Sequence, residues 1–549
     1  MNPNLEIQVQ NLDHLGLVAG VIDEIGIVEI INEIVPEKAG EKVSSGQAVK
    51  AMILNGIGLF SSPLYLFSKF FEGKATEHLI GVGIQPEHLN DDRLGRVLDK
   101  LYLAGSGQIF TAVALAAVKK FNVDTQTVHL DSSSFHVHGA YLPKMPEVYF
   151  TTTPDGEDSV GQASPLPISI TYGYSRDHRP DLKQFMLDII CSGDGDVPLL
   201  LRAADGNSAD SSVFAQILCE FKKQFEVEGL MVADSALYRD KNLKLLGDLK
   251  WLSRTPLTIK QAKQLISQLM ESDFIESQIP GYRWSEHPSN YGGIEQRWLV
   301  VESDIRRQSD RRQLEKKVEK AAQEGQKKLR ELSAQKFACG PDALVAAQTL
   351  SKQLNYHNLT DIKIEHSSEK NRKLSQKDPK EFYTIQASLA IDSNLIERET
   401  RQAGRFILAT NVLDVNELSN AQMIAKYKEQ QSAERGFAFL KDPLFFTDSV
   451  FLKSPERIEA LCLIMGLCLL VYTLAQRYLR QALQQAKSGL KNQLGKRTER
   501  PTLRWIFQCF QAVHLLTINS VKKIGNLTDE RLEILRFFPE RARAYYLLL

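Results

Sequence analysis

The sequence predicts an α/β protein. A mixed sheet with flanking helices is interrupted by a β-containing inserted domain, preceded by a helical N-terminal domain and followed by a C-terminal helical tail. Two short runs of β-branched and apolar residues, VHLDSSS at 128–134 and LMVADSALY at 230–238, read as strands that deliver Asp131 and Asp234 at their ends. A third stretch, KYKEQQSAERGFAFLKD at 426–442, has helical spacing and carries Glu434. From Asp234 to Glu434 is 200 residues, far more than one strand-helix crossover requires. That surplus is the reason to expect an insertion.

Taken in order, residues 1–115 read as a helical domain, with Ala48, Met52, Ile53 and Ile57 on one side of a helix over 45–59. Its charge is not basic: residues 1–120 hold 10 Lys and Arg against 14 Asp and Glu. A nonspecific electrostatic grip on a polyanion is therefore not what the whole domain offers. Residues 116–260 form the first part of the α/β core, with strands over 127–131, 167–174, 184–191 and 229–234 and a helix near 211–225. The inserted domain covers 261–395. It contains strands at 297–302 and 382–391, joined in part by a charged helix over 303–335, where 302–336 hold 11 basic and 7 acidic residues. A solvated helix with i,i+4 pairs is the plainer reading of that charge. Core residues resume over 396–480, with RFILATN at 405–411 as a further strand.

The stretch around Glu434 organises the core. Tyr427, Glu434 and Lys441 are seven residues apart, and a heptad drifts only ~20° around an α-helix, so on one continuous helix they share a stripe. Beside it, Ala433, Phe437, Leu440 and Leu444 form an apolar stripe that can be buried. Ser419 and Gln422 make a plausible capping box for the start of the helix. A solvated amphipathic helix would need no further explanation. Two strand aspartates and one helix glutamate, however, suit a pair of divalent metals ~4 Å apart, which need shared oxygen ligands and no soft donors.

Over the whole chain 67 basic residues balance 67 acidic ones, so a polyanionic partner must be met by local patches. Six scattered cysteines form no CxxC pair and fit reduced thiols in a cytoplasmic protein. The N-terminus has no basic region followed by an apolar core, so no secretory signal is expected. The uncharged run at 460–475 has 16 residues, short of the ~20 needed to span a bilayer, and reads as a buried core helix. Residues 481–549 hold the end of a basic stretch and terminal helices. Between 477 and 504 there are eight basic residues and one acid, a density that favours phosphate contact by Lys496, Arg497, Arg500 and Arg504. The segment after Trp505 reads as a helix with Ile506, Phe510, Val513 and Leu516 on one face.

The order and spacing of these motifs resemble bacterial insertion-sequence transposases of the DDE superfamily. The branch is the one whose glutamate helix carries Tyr, two residues, Arg, three residues, Glu, six residues, Lys. Tyr427, Glu434 and Lys441 match, and the arginine position holds Gln430. GYSRDHRPDLKQF at 173–185, VADSALYRD at 232–240 and RFILATN are also similar to that group, so the resemblance covers about 120–480. LNDDRLGRVLDKLY at 89–102 resembles a domain found ahead of such cores.

The resemblance implies an RNase H-like core in which Asp131, Asp234 and Glu434 hold Mg²⁺, with Mn²⁺ able to substitute. Two such ions would activate water at the end of the element and support strand transfer by the freed 3′-OH. It implies a partner of double-stranded DNA, both element ends and target, with a homodimer on paired ends, no membrane, and a cytoplasmic, nucleoid-associated bacterial endonuclease. Tyr427, Lys441 and Gln430 would contact DNA, the last through a neutral and weaker hydrogen bond, with Arg435 a substitute for the missing charge. Arg93, Arg96 and Lys100 would contact the ends. Trp298 or Trp284 of the inserted domain would stack on a flipped base, against the alternative that Trp298 is a core residue of a strand. Two other readings stand beside this one. One is a transposase-derived repressor that binds ends without cutting. The other is a metal-dependent hydrolase built on His136 and His138, which alternate onto one strand face.

Overall fold

In the computed structural model the strand Thr127–Val137 is the element on which the α/β core is built. The structure describes residues 6–37, 39–59, 63–141, 148–152, 158–162, 165–175, 178–225, 228–369, 380–442, 452 and 454–549. Contacts divide the chain into two compact units, one of residues 1–253, 291–294 and 425–549, the other of 254–290 and 295–424.

In the first unit the strands run in the order Pro198–Ala204, Lys183–Ser192, Thr127–Val137, Leu230–Ala233, Trp251–Thr255. The first two pairings are antiparallel and the last two parallel, which makes the sheet mixed. A helix, Asp210–Phe225, makes the long crossover from the edge strand past two others to Leu230–Ala233, as two strands running in the same direction require. Residues 167–174, expected as a strand, contribute only an isolated bridge from Thr171 to Gln184. Pro165 and Pro167 cannot donate to a ladder, which keeps the start of this segment irregular.

The 31-residue helix Pro455–Gln485 packs against the helices Leu15–Ile25, Ser45–Gly56, Asp91–Leu103 and Ser106–Phe121 and against the strand Pro198–Ala204. By length and composition it could cross a membrane, yet 83% of its most apolar window is buried inside the protein. It is a core helix. Arg477, 6% exposed near its end, donates to the carbonyls of Phe121 at 2.9 Å and Asn122 at 3.0 Å and pairs with Asp194. A cation at the carbonyl end of Ser106–Phe121 is favoured by the helix dipole.

The C-terminal tail is not the run of helices the spacing suggested. After the short helix Leu503–Cys509 come two strands, His514–Ile518 and Val521–Gly525, and then the helices Asp529–Leu535 and Glu540–Leu547. His514–Ile518 pairs with its hairpin partner on one side and with the N-terminal strand Ile7–Asn11 on the other. Leu515 and Leu516 alternate across that strand, which is a period of two and not of 3.6. The last helix closes the N-terminal domain: Tyr546 is 2% exposed, and its hydroxyl donates to the Asp13 carbonyl at 2.6 Å and accepts from the Leu17 amide at 3.2 Å.

In the second unit the strands Arg405–Thr410 and Ile294–Ser303 pair antiparallel, and buried Glu302 sits among Arg283, Arg307 and Arg405. A separate hairpin, His357–Glu369 with Lys380–Ile391, packs its apolar side on the helices Asp304–Ser333 and Gly340–Gln353.

Candidate active site

Asp131 lies in the middle of its strand and not at the end, because Thr127–Val137 continues for six residues beyond it. Its parallel neighbour stops earlier. The register pairs Thr127 with Leu230 and Leu130 with Ala233, so the next step sets Asp131 beside Asp234 at the carboxyl end of the shorter strand. Past this point Thr127–Val137 keeps only its antiparallel partner, Lys183–Ser192. A strand that outruns its neighbour leaves an opening along that side, and crevices at carboxyl strand ends are where α/β sheets place ligands.

Both aspartates are braced from their own backbone. Asp131 Oδ1 accepts from the Ser132 amide at 2.8 Å, and Asp234 Oδ1 accepts from the Ala236 amide at 2.8 Å in an Asx turn. Ser253 Oγ, on the next strand, donates to the Asp234 carbonyl at 2.7 Å.

The glutamate helix covers this face. Alternation puts His129, Asp131, Ser133 and Phe135 on one side of the strand. Gln430, at the start of the helix Gln431–Leu440, reaches His129 and the Leu130 carbonyl, and Phe437 meets Phe135 with ring centroids 6.5 Å apart. Lys441 Nζ lies 5.2 Å from the centre of the Phe135 ring. Glu434 falls between these two anchors, on the helix that runs over Asp131. Ala433, Phe437 and Leu440 are buried as their spacing predicts, Glu434 is exposed, and Leu444 lies outside the described residues.

The helix is not continuous from 426 to 442. Asn420–Lys428, capped reciprocally by Ser419 and Gln422, ends before Glu429, and Gln431–Leu440 begins after Gln430. Tyr427 therefore belongs to a different helix from Glu434, and the seven-residue stripe is broken between them. At the break the Gln430 backbone amide bonds three residues back, to the Tyr427 carbonyl at 3.1 Å, and its side chain, 8% exposed, turns inward. Its Nε2 donates to the Leu130 carbonyl at 2.9 Å, and its Oε1 is 3.3 Å from His129 Nδ1. The expected DNA contact by Gln430 is corrected accordingly: both ends of its amide serve the interior. Burial holds the His129 pKa down to about 4, so the imidazole is neutral and donates to Gln430.

Arg435 pairs with Asp196 through two bonds of 2.7 and 2.8 Å, and this contact holds its pKa above the usual value. Arg504 approaches Asp442 at 3.4 Å, which fastens the basic C-terminal stretch beside the end of the glutamate helix. That stretch forms a small hairpin, Leu490–Lys491 with Arg497–Thr498. Lys496 and Arg500 are exposed, and Arg497 is shared between the Gly489 carbonyl and Glu533. Nearby Arg480 is half-buried; burial, then the charge of Arg500, lower its pKa. Arg480, Asp196 and His129 were not singled out in the sequence. His129 has a visible signal in its position two residues before Asp131, and Arg480 in its place within the basic run 477–504.

Other expected contacts sit elsewhere. Trp298 is 3% exposed in its strand, with Nε1 3.3 Å from Gln296 Oε1, so it is a core residue and not a free stacking platform. Trp284 is half-buried. Arg93 is buried and holds Glu41 through two bonds of 2.7 and 3.1 Å, and Lys100 holds the same carboxylate at 2.7 Å, whereas Arg96 is exposed. His136 is bound to Ser175 Oγ at 3.0 Å. Among the described residues no three His, Cys, Asp or Glu side chains stand close enough together to hold a metal, so neither the HxH pair nor the carboxylate triad closes into a shell in this conformation. The two aspartates nevertheless offer hard oxygen donors side by side, the chemistry that suits Mg²⁺.

The fold is a mixed α/β sheet whose neighbouring interior strands lead into Asp131 and Asp234, with the glutamate-bearing helix packed on Thr127–Val137. The family is specific: residues 124–472 match the Transposase DDE domain, more than half of the chain, and the chain belongs to that family. Residues 7–115 match a domain of unknown function, DUF4277. No curated protein matches the sequence significantly. Among solved structures, a piggyBac transposase synaptic complex with hairpin DNA aligns with 97% of this chain and 88% of its own, at 8% identity and a TM-score of 0.37.

Proposed function

We propose that this DDE-family transposase binds the ends of a DNA element and cleaves them at the site formed by Asp131, Asp234 and Glu434. The observation that supports the reading is the parallel register, which ends with Leu130 opposite Ala233, so that Asp131 and Asp234 are the next residue of each chain segment where one strand ends and the other continues. Asp131, Asp234 and Glu434 would hold Mg²⁺, with Mn²⁺ able to substitute. When bound, the metal supplies Lewis-acid activation of the attacking and leaving oxygens of a phosphodiester.

The chain's own residues do the rest. Two aspartates braced by backbone amides stand where Leu230–Ala233 ends, and Glu434, exposed on its helix, can turn toward them. Lys441 stands at the end of that helix, and Arg435, Arg480 and Arg500 supply positive charge on the approach for a DNA phosphate. Tyr427 and the exposed Lys496 belong to the same DNA-facing surface in this reading. The protein acts as a homodimer on paired ends, in the cytoplasm at the nucleoid. The domain divisions 1–115, 116–260, 261–395, 396–480 and 481–549 are part of the proposal.

The test uses purified full-length protein and linear DNA carrying the element's two ends. Incubation with Mg²⁺ should release ends with free 3′-OH groups and join them to a second duplex, and EDTA should stop both. Binding without either product would favour an end-binding repressor.

A further inference from the structure

In the second unit, the helix Asp304–Ser333 buries Leu314, Gly325, Leu329 and Leu332 against its neighbours. At ~100° per residue, the direction opposite this buried stripe is occupied by Arg312, Lys316, Lys320, Lys327 and Arg330. These five fall within an arc of about 80°, and no acidic residue shares the arc. Glu319 and Glu331 flank its edges. All five cations are exposed. Among the described residues the one ion pair they make is Lys320 with Glu324 at 3.9 Å, with both side chains largely exposed and the pair therefore weak. Two other basic residues of the helix are paired, Arg306 with Asp310 and Arg307 with Glu271 and Glu302, whereas Arg311, Lys317 and Lys328 are exposed outside the arc.

We infer that this stripe is a docking surface for the backbone of duplex DNA, an inference that rests on the proposed function. From Arg312 to Arg330 the helix advances ~27 Å, so the cations form a straight rod about eight base pairs long. A chain with 67 basic and 67 acidic residues has no net charge to attract DNA, and a segregated stripe supplies the local field that the total lacks. The occupant is a polyanion and not an apolar protein face. Between Arg312 and Arg330 the arc contains no aliphatic or aromatic side chain, and stable protein interfaces place such residues at their centre. Contacts of this kind position a protein on DNA without reading sequence.

The experiment compares two full-length triple variants with the same loss of charge on the same helix. Arg312→Gln/Lys316→Gln/Lys327→Gln removes stripe residues. Arg311→Gln/Lys317→Gln/Lys328→Gln removes exposed cations that lie outside the arc. Affinity for end-bearing duplex, random duplex and single-stranded RNA is measured across a salt series, with thermal unfolding to show that both variants fold. The stripe variant should bind both duplexes more weakly and alike, with a slope of log affinity against log salt lower by about 2 to 3, since each contact to duplex contributes ~0.9. The control should keep the wild-type slope. Equal effects of the two variants, an unchanged slope in the stripe variant, or loss confined to RNA would overturn the inference. If wild type binds and cuts end DNA and the stripe variant matches it, the stripe alone is refuted; a wild type with no affinity for duplex DNA refutes the proposed function as well.

Discussion

Gln430 donates a hydrogen bond of 2.9 Å to the carbonyl of Leu130, one residue before Asp131 on the central strand, across a separation of 300 residues. The contact fixes where the glutamate helix begins relative to the aspartate strand. Gln430→Ala would leave the Leu130 carbonyl and His129 without their partner in a buried place, at a cost of about 1–3 kcal/mol. Denaturant unfolding should register that loss. The salt dependence of DNA affinity should not change, because the amide faces inward; a flatter salt slope with unaltered stability would return Gln430 to the DNA-facing surface.

Two buried histidines make stability depend on pH. His14 donates from Nε2 to the Ile57 carbonyl at 3.0 Å and stacks on Phe507, and burial lowers its pKa to about 4, the same value as for His129. Unfolded, both would protonate near 6.5. The unfolded chain therefore binds more protons as pH falls below about 6.5, and stability present above that value is lost down to about 4. The slope is at most ~1.4 kcal/mol per pH unit for each histidine. Chemical denaturation at pH 7.5 and 5 should show the loss in wild type and a smaller one in a His14→Gln/His129→Gln variant. Equal pH dependence in the two would show that other groups are responsible.

The terminal helix is part of the N-terminal domain. A Cβ on Gly20 would collide with the backbone of Ala542, and one on Gly16 would meet the Tyr546 ring at 2.8 Å. Tyr545 donates to Asp23 at 2.6 Å while Lys50 donates to both, a half-buried network that ties the last turn to the first and third helices. Gly20→Ala should destabilise by about 1–3 kcal/mol through overpacking. Its thermal midpoint should fall together with that of a chain ending at residue 539, and an unaffected midpoint in either would mean that the termini are independent.

Much of this arrangement is legible in the sequence. The aspartate strands, the capping box at Ser419 and Gln422, the buried stripe of the glutamate helix and the core helix at Pro455–Gln485 follow from periodicity and local chemistry. The misreadings have physical causes. A heptad stripe presumes an unbroken helix, and nothing local to KYKEQQSAERG announces that Gln430 will turn inward to a strand 300 residues away. The hairpin at 514–525 resembles a continued helix until its partner at the other end of the chain is known, because a strand's pairing is a long-range property. PLLLRAA and WLSRT, the strands Pro198–Ala204 and Trp251–Thr255, are too short to declare a period, the first because its apolar run does not alternate and the second because only five residues are available. For Trp298 the core alternative is legible in the sequence, since WLVVE reads as a buried strand, and the structure buries it there.

The central claim is that Asp131, Asp234 and Glu434 act as one acidic centre. Its most direct measurement is cleavage of end-bearing DNA in Mg²⁺, beside gel-shift affinity, for Asp131→Asn, Asp234→Asn and Glu434→Gln, with Glu429→Gln as a neighbour outside the set. Each of the three removes a charged oxygen ligand while preserving shape, so each should abolish cutting and leave end binding nearly intact, whereas Glu429→Gln should still cut. Cleavage near the wild-type rate by any one of the three would contradict the account.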